Sequence, residues 1–302
     1  MFRRRWHWCA RLLRWWAVGG LIILIGAGAG GCSSLTGLYF FPQQEWERTP
    51  ENLGIEYQDV HLTAVDSTRV HGWWMSGVKQ PAAILNRDSI TVESVRPMVL
   101  FLHGNGENIS THIGSVAWLV YEGVDVFALD YRGYGGSEGN ALLPDVLQDI
   151  DAAAGWLRQQ YPQRPLVVLG QSMGAGLALI FGHEAATHYN VRAVIAEAAP
   201  ASYSRAAREI LSRNPLGWFV WPFTWLLPEQ WNPENFTANY PVPVLLLHSR
   251  DDQVVGYDHG RKLFDALGET ACWQDTAGPH IAGFASSTVR QRVLKFIRIG
   301  GC

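Results

Sequence analysis

Cysteine is scarce in this sequence, and none of it is spaced to hold a metal. The four cysteines are Cys9, Cys32, Cys272 and Cys302. No C-x-x-C pair and no His/Cys ligand spacing joins them, so neither a metal site nor a cofactor is expected. Cys272 and Cys302 are free to pair in an oxidising compartment, although two cysteines do not prove that they do. Acidic residues are missing from the first 31 positions, which carry Arg3, Arg4, Arg5, Arg11 and Arg14. The remainder lacks a basic excess: it holds 19 basic against 27 acidic residues. An acidic body gives no electrostatic reason to expect nucleic acid as a partner. The N-terminal apolar run, Ala17 to Gly31, has 15 residues, short of the roughly 20 that a spanning helix needs. The Gly-rich loop Tyr131 to Gly139 lacks the Gly-Lys-Ser/Thr ending of a phosphate cradle. What is present is a globular composition, 48% apolar and 17% charged, which implies a substantial core. The 302 residues suffice for one large α/β domain or two small ones.

The N-terminus reads as a targeting segment. Met1 to Trp16 is basic and Trp-rich, Ala17 to Gly31 is apolar, and Cys32-Ser33-Ser34 follows. That order is an n-region, an h-region and a small-residue cleavage site, so residues 1–31 are expected to be a signal peptide. Ala29-Gly30-Gly31-Cys32 resembles a bacterial lipobox, with Ala29 where the usual Leu stands. The resemblance implies that Cys32 is acylated and becomes the new N-terminus; an uncleaved anchor helix is the rival reading. Either way the body sits outside the cytoplasm, on a membrane of a bacterial cell envelope. Ser33 at the second mature position favours the outer membrane, facing the periplasm. Residues 32–50, with Leu38-Tyr-Phe-Phe-Pro42, are then a lipidated tether that packs on a domain spanning 51–302.

One stretch organises that domain. Leu166 to Gly170 is a short apolar run after Pro165 and predicts a buried strand; Met173 to Phe181 is small and aliphatic and predicts a helix. Between them, Gly170-Gln-Ser172-Met-Gly174 matches G-x-S-x-G. In such an elbow the strand turns so sharply into the helix that the serine is strained and exposed. The glycines remove Cβ atoms that would strike neighbouring backbone. The helix aims its free N–H groups and the positive end of its dipole at the same point. Alone the pentapeptide is a weak signal, because Gly and Ser crowd many loops; its strand, helix and partners give it weight.

The flanking pattern predicts an α/β fold. Residues 55–65 and 68–76 alternate as a β-hairpin, and residues 77–96 have the composition of a surface loop. Strands are predicted at Pro97–Leu102, Val124–Asp130, Val191–Ala196, Pro243–Leu247 and Ala271–Gln274, and helices at 112–122, 144–160, 258–267 and 287–299. The alternation implies a mostly parallel central sheet with helices on both faces, with ligands beyond the carboxyl ends of the strands. Residues 201–240 hold Trp218, Trp221, Trp225 and Trp231, broken by Pro215, Pro222 and Pro228. They read either as short helices covering the core or as an apolar, Trp-rich cap over the site, dipping toward a bilayer interface where Trp prefers to sit.

Four candidate groups stand just past predicted strand ends: His103, Ser172, Asp252 and His280. A serine hydroxyl is a poor nucleophile at neutral pH. It needs a base, His280, and the base needs an acidic orienter, Asp252. Asp251 is the second choice for the acid. His259, on a predicted helix and read as a surface residue, is the nearest rival base. The turn His103-Gly104-Asn105-Gly106 puts a backbone N–H near the nucleophile, so Asn105 and Met173 are the candidate oxyanion donors. His103 itself is read as structural.

Taken together, His103-Gly-Asn-Gly-Glu-Asn108, Asp130-Tyr-Arg-Gly-Tyr-Gly-Gly-Ser-Glu-Gly139, Gly170-Gln-Ser-Met-Gly174 and His248-Ser-Arg-Asp-Asp-Gln-Val-Val255 resemble the α/β-hydrolase superfamily. The branch they resemble is the BEM46-like serine hydrolases, in a bacterial lipoprotein form, over roughly residues 36–299. The resemblance implies Ser172 as nucleophile, Asp252 as acid and His280 as base, since the branch pattern His-Gly-x-x-Asp-x-x-Val aligns His248 with Asp252. Two positions depart from it: Ser249 replaces a Gly, and Gly278-Pro279-His280 replaces Gly-x-Gly-His. The implied activity is cleavage of carboxylic esters or thioesters of a small acyl substrate, through an acyl-enzyme. The alternatives are a serine peptidase or amidase on the same triad, and a non-catalytic, membrane-anchored binding protein.

Overall fold

Eight strands form one sheet, and the alternation of their side chains decides which helices cover which face. In chain order they are β1 (Tyr57–Thr63), β2 (Arg69–Met75), β3 (Met98–Leu102), β4 (Asp125–Asp130), β5 (Leu166–Gln171), β6 (Val191–Glu197), β7 (Val244–Ser249) and β8 (Ala271–Thr276). Across the sheet the order is β8-β7-β6-β5-β3-β4-β2-β1. β1 with β2 and β2 with β4 are antiparallel, and all other pairs are parallel. The structure is a computed structural model that describes residues 32–78, 96–213 and 217–302. The signal-peptide reading of 1–31, most of the 77–96 loop reading and Pro215 of the Trp-rich segment lie outside the described residues, as does the side chain of Cys32.

Parallel strands need long crossovers, and helices supply them: α1 (Ile109–Tyr121), α2 (Asp145–Gln160), α3 (Met173–Ala185), α4 (Tyr203–Ser212), α5 (Tyr257–Leu267) and α6 (Ser287–Ile299). All five residues of β3 are buried. Val99 and Phe101 pack with Ile113 and Val116 of α1 and Val293 of α6, whereas Leu100 and Leu102 pack with Ile150 of α2, Leu177 of α3 and Leu263 of α5. The expected mostly parallel sheet with helices on both faces is therefore present. Helix α1 starts three residues before the predicted 112. Asn108 is extended there, and its side chain accepts the Ser110 N–H at 2.9 Å, which caps the helix earlier. Among the described residues no helix is long and apolar enough to cross a membrane.

The order in which strands are added reverses at β3, which has β4 on one side and β5 on the other, and the crevice beyond the ends of β3 and β5 is the expected ligand position. Two outlying pieces close over it. The N-terminal piece is a 3₁₀ helix, Cys32–Tyr39, followed by Phe41–Pro42, which pairs in parallel with Gly106–Glu107. Tyr39 and Phe40 are buried in the core. The second piece is α4 with the 3₁₀ turns Gly217–Phe219 and Trp221–Leu226. A disulfide joins Cys272 to Cys302 with the Cα atoms 5.6 Å apart, tying the C-terminus to β8.

Candidate active site

β5 delivers Ser172 into the crevice. The residue adopts φ 56°, ψ −120°, a conformation that costs an L-residue on the order of 1–3 kcal/mol and persists only where neighbours over-determine it. They do so here. The Ser172 N–H donates to Glu197 O at 2.8 Å. A Cβ on Gly170 would stand 2.1 Å from Gly174 O, and one on Gly174 2.2 Å from Leu102 O. Neither glycine of the elbow tolerates a side chain.

His280 joins the other two candidates. Its Nδ1 lies 2.7 Å from Asp252 Oδ2 and its Nε2 lies 2.8 Å from Ser172 Oγ. An ionised carboxylate only accepts, so Nδ1 carries the proton and Nε2 faces the serine hydroxyl as acceptor. The Asp252 carboxylate is fully buried, whereas the His280 side chain is 17% exposed. Burial alone would push the Asp252 carboxyl up. The His280 hydrogen bond and charge, with the N–H groups of Val254 and Val255 at 2.8 and 3.0 Å, outweigh it and hold the carboxyl below its ordinary range. Asp251 turns instead toward the Gly278 N–H, at 3.3 Å.

His259 is not the surface residue that its polarity suggested. It lies on the inner face of α5 and is fully buried. Its Nδ1 accepts the Ala201 N–H at 3.0 Å, and its Nε2 is 3.2 Å from Glu209 Oε2. Both ring nitrogens are committed to holding α4 and its approach, so His259 is no rival base.

Asn105 and Met173 line the same cavity as Ser172. Met173 is the first residue of α3, where an N–H has no partner within the helix. The Asn105 turn is braced from several sides. Its carbonyl accepts from Tyr134 Oη at 2.6 Å and from the Phe41 N–H at 3.3 Å. Tyr131 Oη donates to His103 O at 3.0 Å, and Asp130 Oδ1 accepts the Ile109 N–H at 3.0 Å. Buried His103 donates from Nδ1 to Gly104 O at 2.7 Å, the structural role expected of it. The Asp130–Gly139 loop is thus the frame of the turn. Arg132 anchors that frame by pairing with Asp149 and Asp66, each at 2.7 Å.

Sequence reasoning missed three supporting residues. Glu197, buried at the end of β6, accepts from Gln171 Nε2 at 2.6 Å and from the Gly283 N–H at 2.8 Å. Gln171 Oε1 in turn accepts from Ser115 Oγ at 2.7 Å. The carboxylate therefore ties the strand that carries Ser172 to the loop that carries His280. Burial pushes its carboxyl up, against those two hydrogen bonds. The available signal was an acid closing the apolar run Val191-Arg-Ala-Val-Ile-Ala-Glu197. Ser249, the departure from the branch pattern, donates to Gly278 O at 2.6 Å and accepts the Asp251 N–H at 3.1 Å. It fastens the histidine loop to the loop of the acid.

Comparison with known proteins agrees with the fold. The model of a family described as serine aminopeptidase, S33, matches residues 93–229. The chain is 30% identical over 249 residues to the uncharacterized protein YfhR of Escherichia coli O157:H7, covering 80% of each. It is 24% identical over 241 residues to the lysophosphatidylserine lipase ABHD12 of Danio rerio, covering 76% of this chain and 62% of that one. It superposes on the esterase Pf2001 of Pyrococcus furiosus with a TM-score of 0.67 at 25% identity, covering 85% of this chain and 96% of the other. The chain belongs to the α/β-hydrolase superfamily, and it is a hydrolase. Among the described residues no group of His, Cys, Asp and Glu is arranged to hold a metal ion.

Proposed function

We propose that this hydrolase is a serine enzyme that cleaves carboxylic esters or thioesters through an acyl-enzyme on Ser172. The observation that carries the reading is the continuous hydrogen-bond line Asp252–His280–Ser172 opening into an apolar cavity of about 210 Å³. In this mechanism Ser172 Oγ attacks the acyl carbonyl carbon while its proton passes to His280 Nε2. Asp252 holds the resulting imidazolium, and the N–H groups of Asn105 and Met173 receive the oxyanion. The tetrahedral centre collapses, the bond to the leaving alkoxide or thiolate breaks, and His280 returns the proton to it. Water, deprotonated by the same nitrogen, then releases the acid and regenerates Ser172.

A peptidase reading on the same triad has the serine aminopeptidase description of the matched family in its favour. An aminopeptidase needs an anion for the substrate ammonium, and among the described residues no acidic side chain lines the cavity. Esters make no such demand. The two readings separate when purified protein and Ser172→Ala are labelled with a fluorophosphonate and assayed on p-nitrophenyl esters beside aminoacyl p-nitroanilides. Ser172-dependent labelling with ester turnover is expected. Full ester turnover by Ser172→Ala would overturn the mechanism.

We also infer that the chain is a BEM46-like lipoprotein, acylated on Cys32 and held to a bacterial envelope membrane, the outer membrane facing the periplasm. The 1–31 pattern and Ser33 support this reading, and the Cys272–Cys302 disulfide suits an oxidising compartment. A relative whose printed activity is that of a lipid lipase accords with a membrane partner. Radiolabelled palmitate should enter the wild-type chain in cells and be absent from Cys32→Ser.

A further inference from the structure

The apolar cavity at Ser172 does not stop beside the nucleophile. A second compartment, of about 180 Å³, lies beneath the cap, bounded by Val220, Leu226 and Leu227. The two share Leu38, Ala207 and Leu211 as lining, so they lie on opposite sides of those aliphatic side chains. Together they reach the roughly 300–1,000 Å³ of small-molecule sites. Among the described residues the rear lining is aliphatic or aromatic except for Thr224, whose hydroxyl donates to Trp221 O at 2.6 Å. Among those residues a sugar, phosphate or other polar head finds no charged partner.

The outer surface at this point is also apolar. Trp218, Phe219, Trp225 and Leu226 are 68%, 53%, 65% and 52% exposed. A soluble monomer rarely shows such rings together, and tryptophan is enriched where protein meets the membrane–water interface. Leu35 and Leu38, which wall the rear compartment, belong to the 3₁₀ helix Cys32–Tyr39. That helix begins where the apolar run Ala17–Gly31 ends. The membrane-directed end of the chain, the exposed rings and the rear compartment therefore meet on one side of the molecule.

We propose that the rear compartment is an acyl-chain site, filled by a linear chain of a membrane amphiphile drawn from the bilayer on which the exposed rings rest. Leu38 and Leu211 are the threshold across which the chain lies, with its carbonyl at Ser172. The N-terminal segment is then a wall of the substrate site as well as the lead to the membrane. The proposal rests on the ester-hydrolase reading and specifies its substrate class.

The test has two arms with the full chain. In the first, dodecanoate binding is measured by calorimetry on Ser172→Ala, with and without Leu211→Trp or Val220→Trp, beside the ratio of kcat/KM for p-nitrophenyl dodecanoate to that for the butyrate in the same single variants with Ser172 intact. Each bulky substitution is expected to weaken dodecanoate binding and to lower the ratio at least tenfold. Binding and ratio unchanged within twofold in both variants would overturn the acyl site. Dodecanoate binding that both substitutions weaken, in a protein that turns over no ester, would uphold the acyl site while removing the hydrolase reading. In the second arm, turnover of a monoacyl glycerophospholipid embedded in phosphatidylethanolamine–phosphatidylglycerol vesicles is compared with turnover of soluble p-nitrophenyl butyrate. Trp218→Ser with Phe219→Ser should lower the vesicle reaction at least fivefold more than the soluble one. Equal effects on the two would mean that the chain arrives from solution and would overturn the membrane source.

Discussion

The floor and the roof of the cavity follow opposite rules. Beneath the triad, polar groups are buried and paired: Glu197 with Gln171 and Gly283, Gln171 with Ser115, Ser249 with Gly278 and Asp251. Over the cavity, the cap leaves Trp218 and Trp225 in the open. A paired buried group fixes an angle and a distance, and leaving its partner orphaned costs the full desolvation penalty. Each ring has a tie, Trp218 Nε1 to Ser212 O at 2.9 Å and Trp225 beneath the Arg208 guanidinium, and is otherwise open to contact. Position is thus built into the floor, and contact into the roof. Substitutions of the paired floor groups should cost stability and turnover of soluble esters, and substitutions of the exposed roof rings should cost little of either.

The largest effect tests the comparison at its centre. Ser172→Ala should lower ester turnover by about 10⁶-fold, the scale seen when a triad serine is removed, with a melting temperature unchanged or raised. Next, Asp252→Asn should lower kcat by about 10³–10⁴-fold, because the His280 tautomer is no longer set. That substitution also has a pH signature. The Asp252 carboxyl is held below its ordinary value of 3.8 in the folded protein. Its contribution to stability is complete above that value and fades as pH falls through the lowered one. The acid side of a melting-temperature profile should therefore be flatter in Asp252→Asn than in wild type.

Removing a brace should produce a third, intermediate effect. Glu197→Ala orphans the Gln171 amide and the Gly283 N–H, and about 2–4 kcal/mol of stability should be lost in urea unfolding. Its kcat should fall more than its KM rises, since the brace aligns Ser172 with His280 and its carboxylate does not line the cavity. Ser249→Gly restores the branch residue but removes one hydroxyl, so a loss near 1 kcal/mol is expected, with a small decrease in kcat. The smallest effect lies on the roof: Trp218→Ala removes one exposed hydrogen bond, to Ser212 O, and should change stability by less than about 1 kcal/mol. If Trp218→Ala destabilised the protein as much as Glu197→Ala, the division into floor and roof would fail.

The same division separates what the sequence disclosed from what it withheld. The elbow was legible because its glycines and serine are neighbours in the chain, and their crowding is local. The strands of the sheet were legible from short apolar runs, and the chain order Ser172, Asp252, His280 pointed to the crevice. Glu197 was not legible as a brace, because its role depends on the pairing of Gln171 with Glu197 across β5 and β6. That register is set by the whole sheet. His259 was misjudged because a polar residue on a helix usually faces water, whereas here Leu263, one turn later, shares its buried face. The Trp-rich segment resisted reading because its prolines break any helical period. Its rings also divide between the surface and a wall of the cap.

The two-residue pairing of Phe41–Pro42 with Gly106–Glu107 has a consequence for preparing the protein. A chain started at residue 43 would retain Ser172, Asp252 and His280 and still lose the Phe41 N–H that fastens the Asn105 carbonyl. Far along the chain, the Cys272–Cys302 bridge holds residue 302 close to β8. A proteolytic cut just before residue 43 would leave Ser172, Asp252 and His280 in place and the Asn105 turn unfastened.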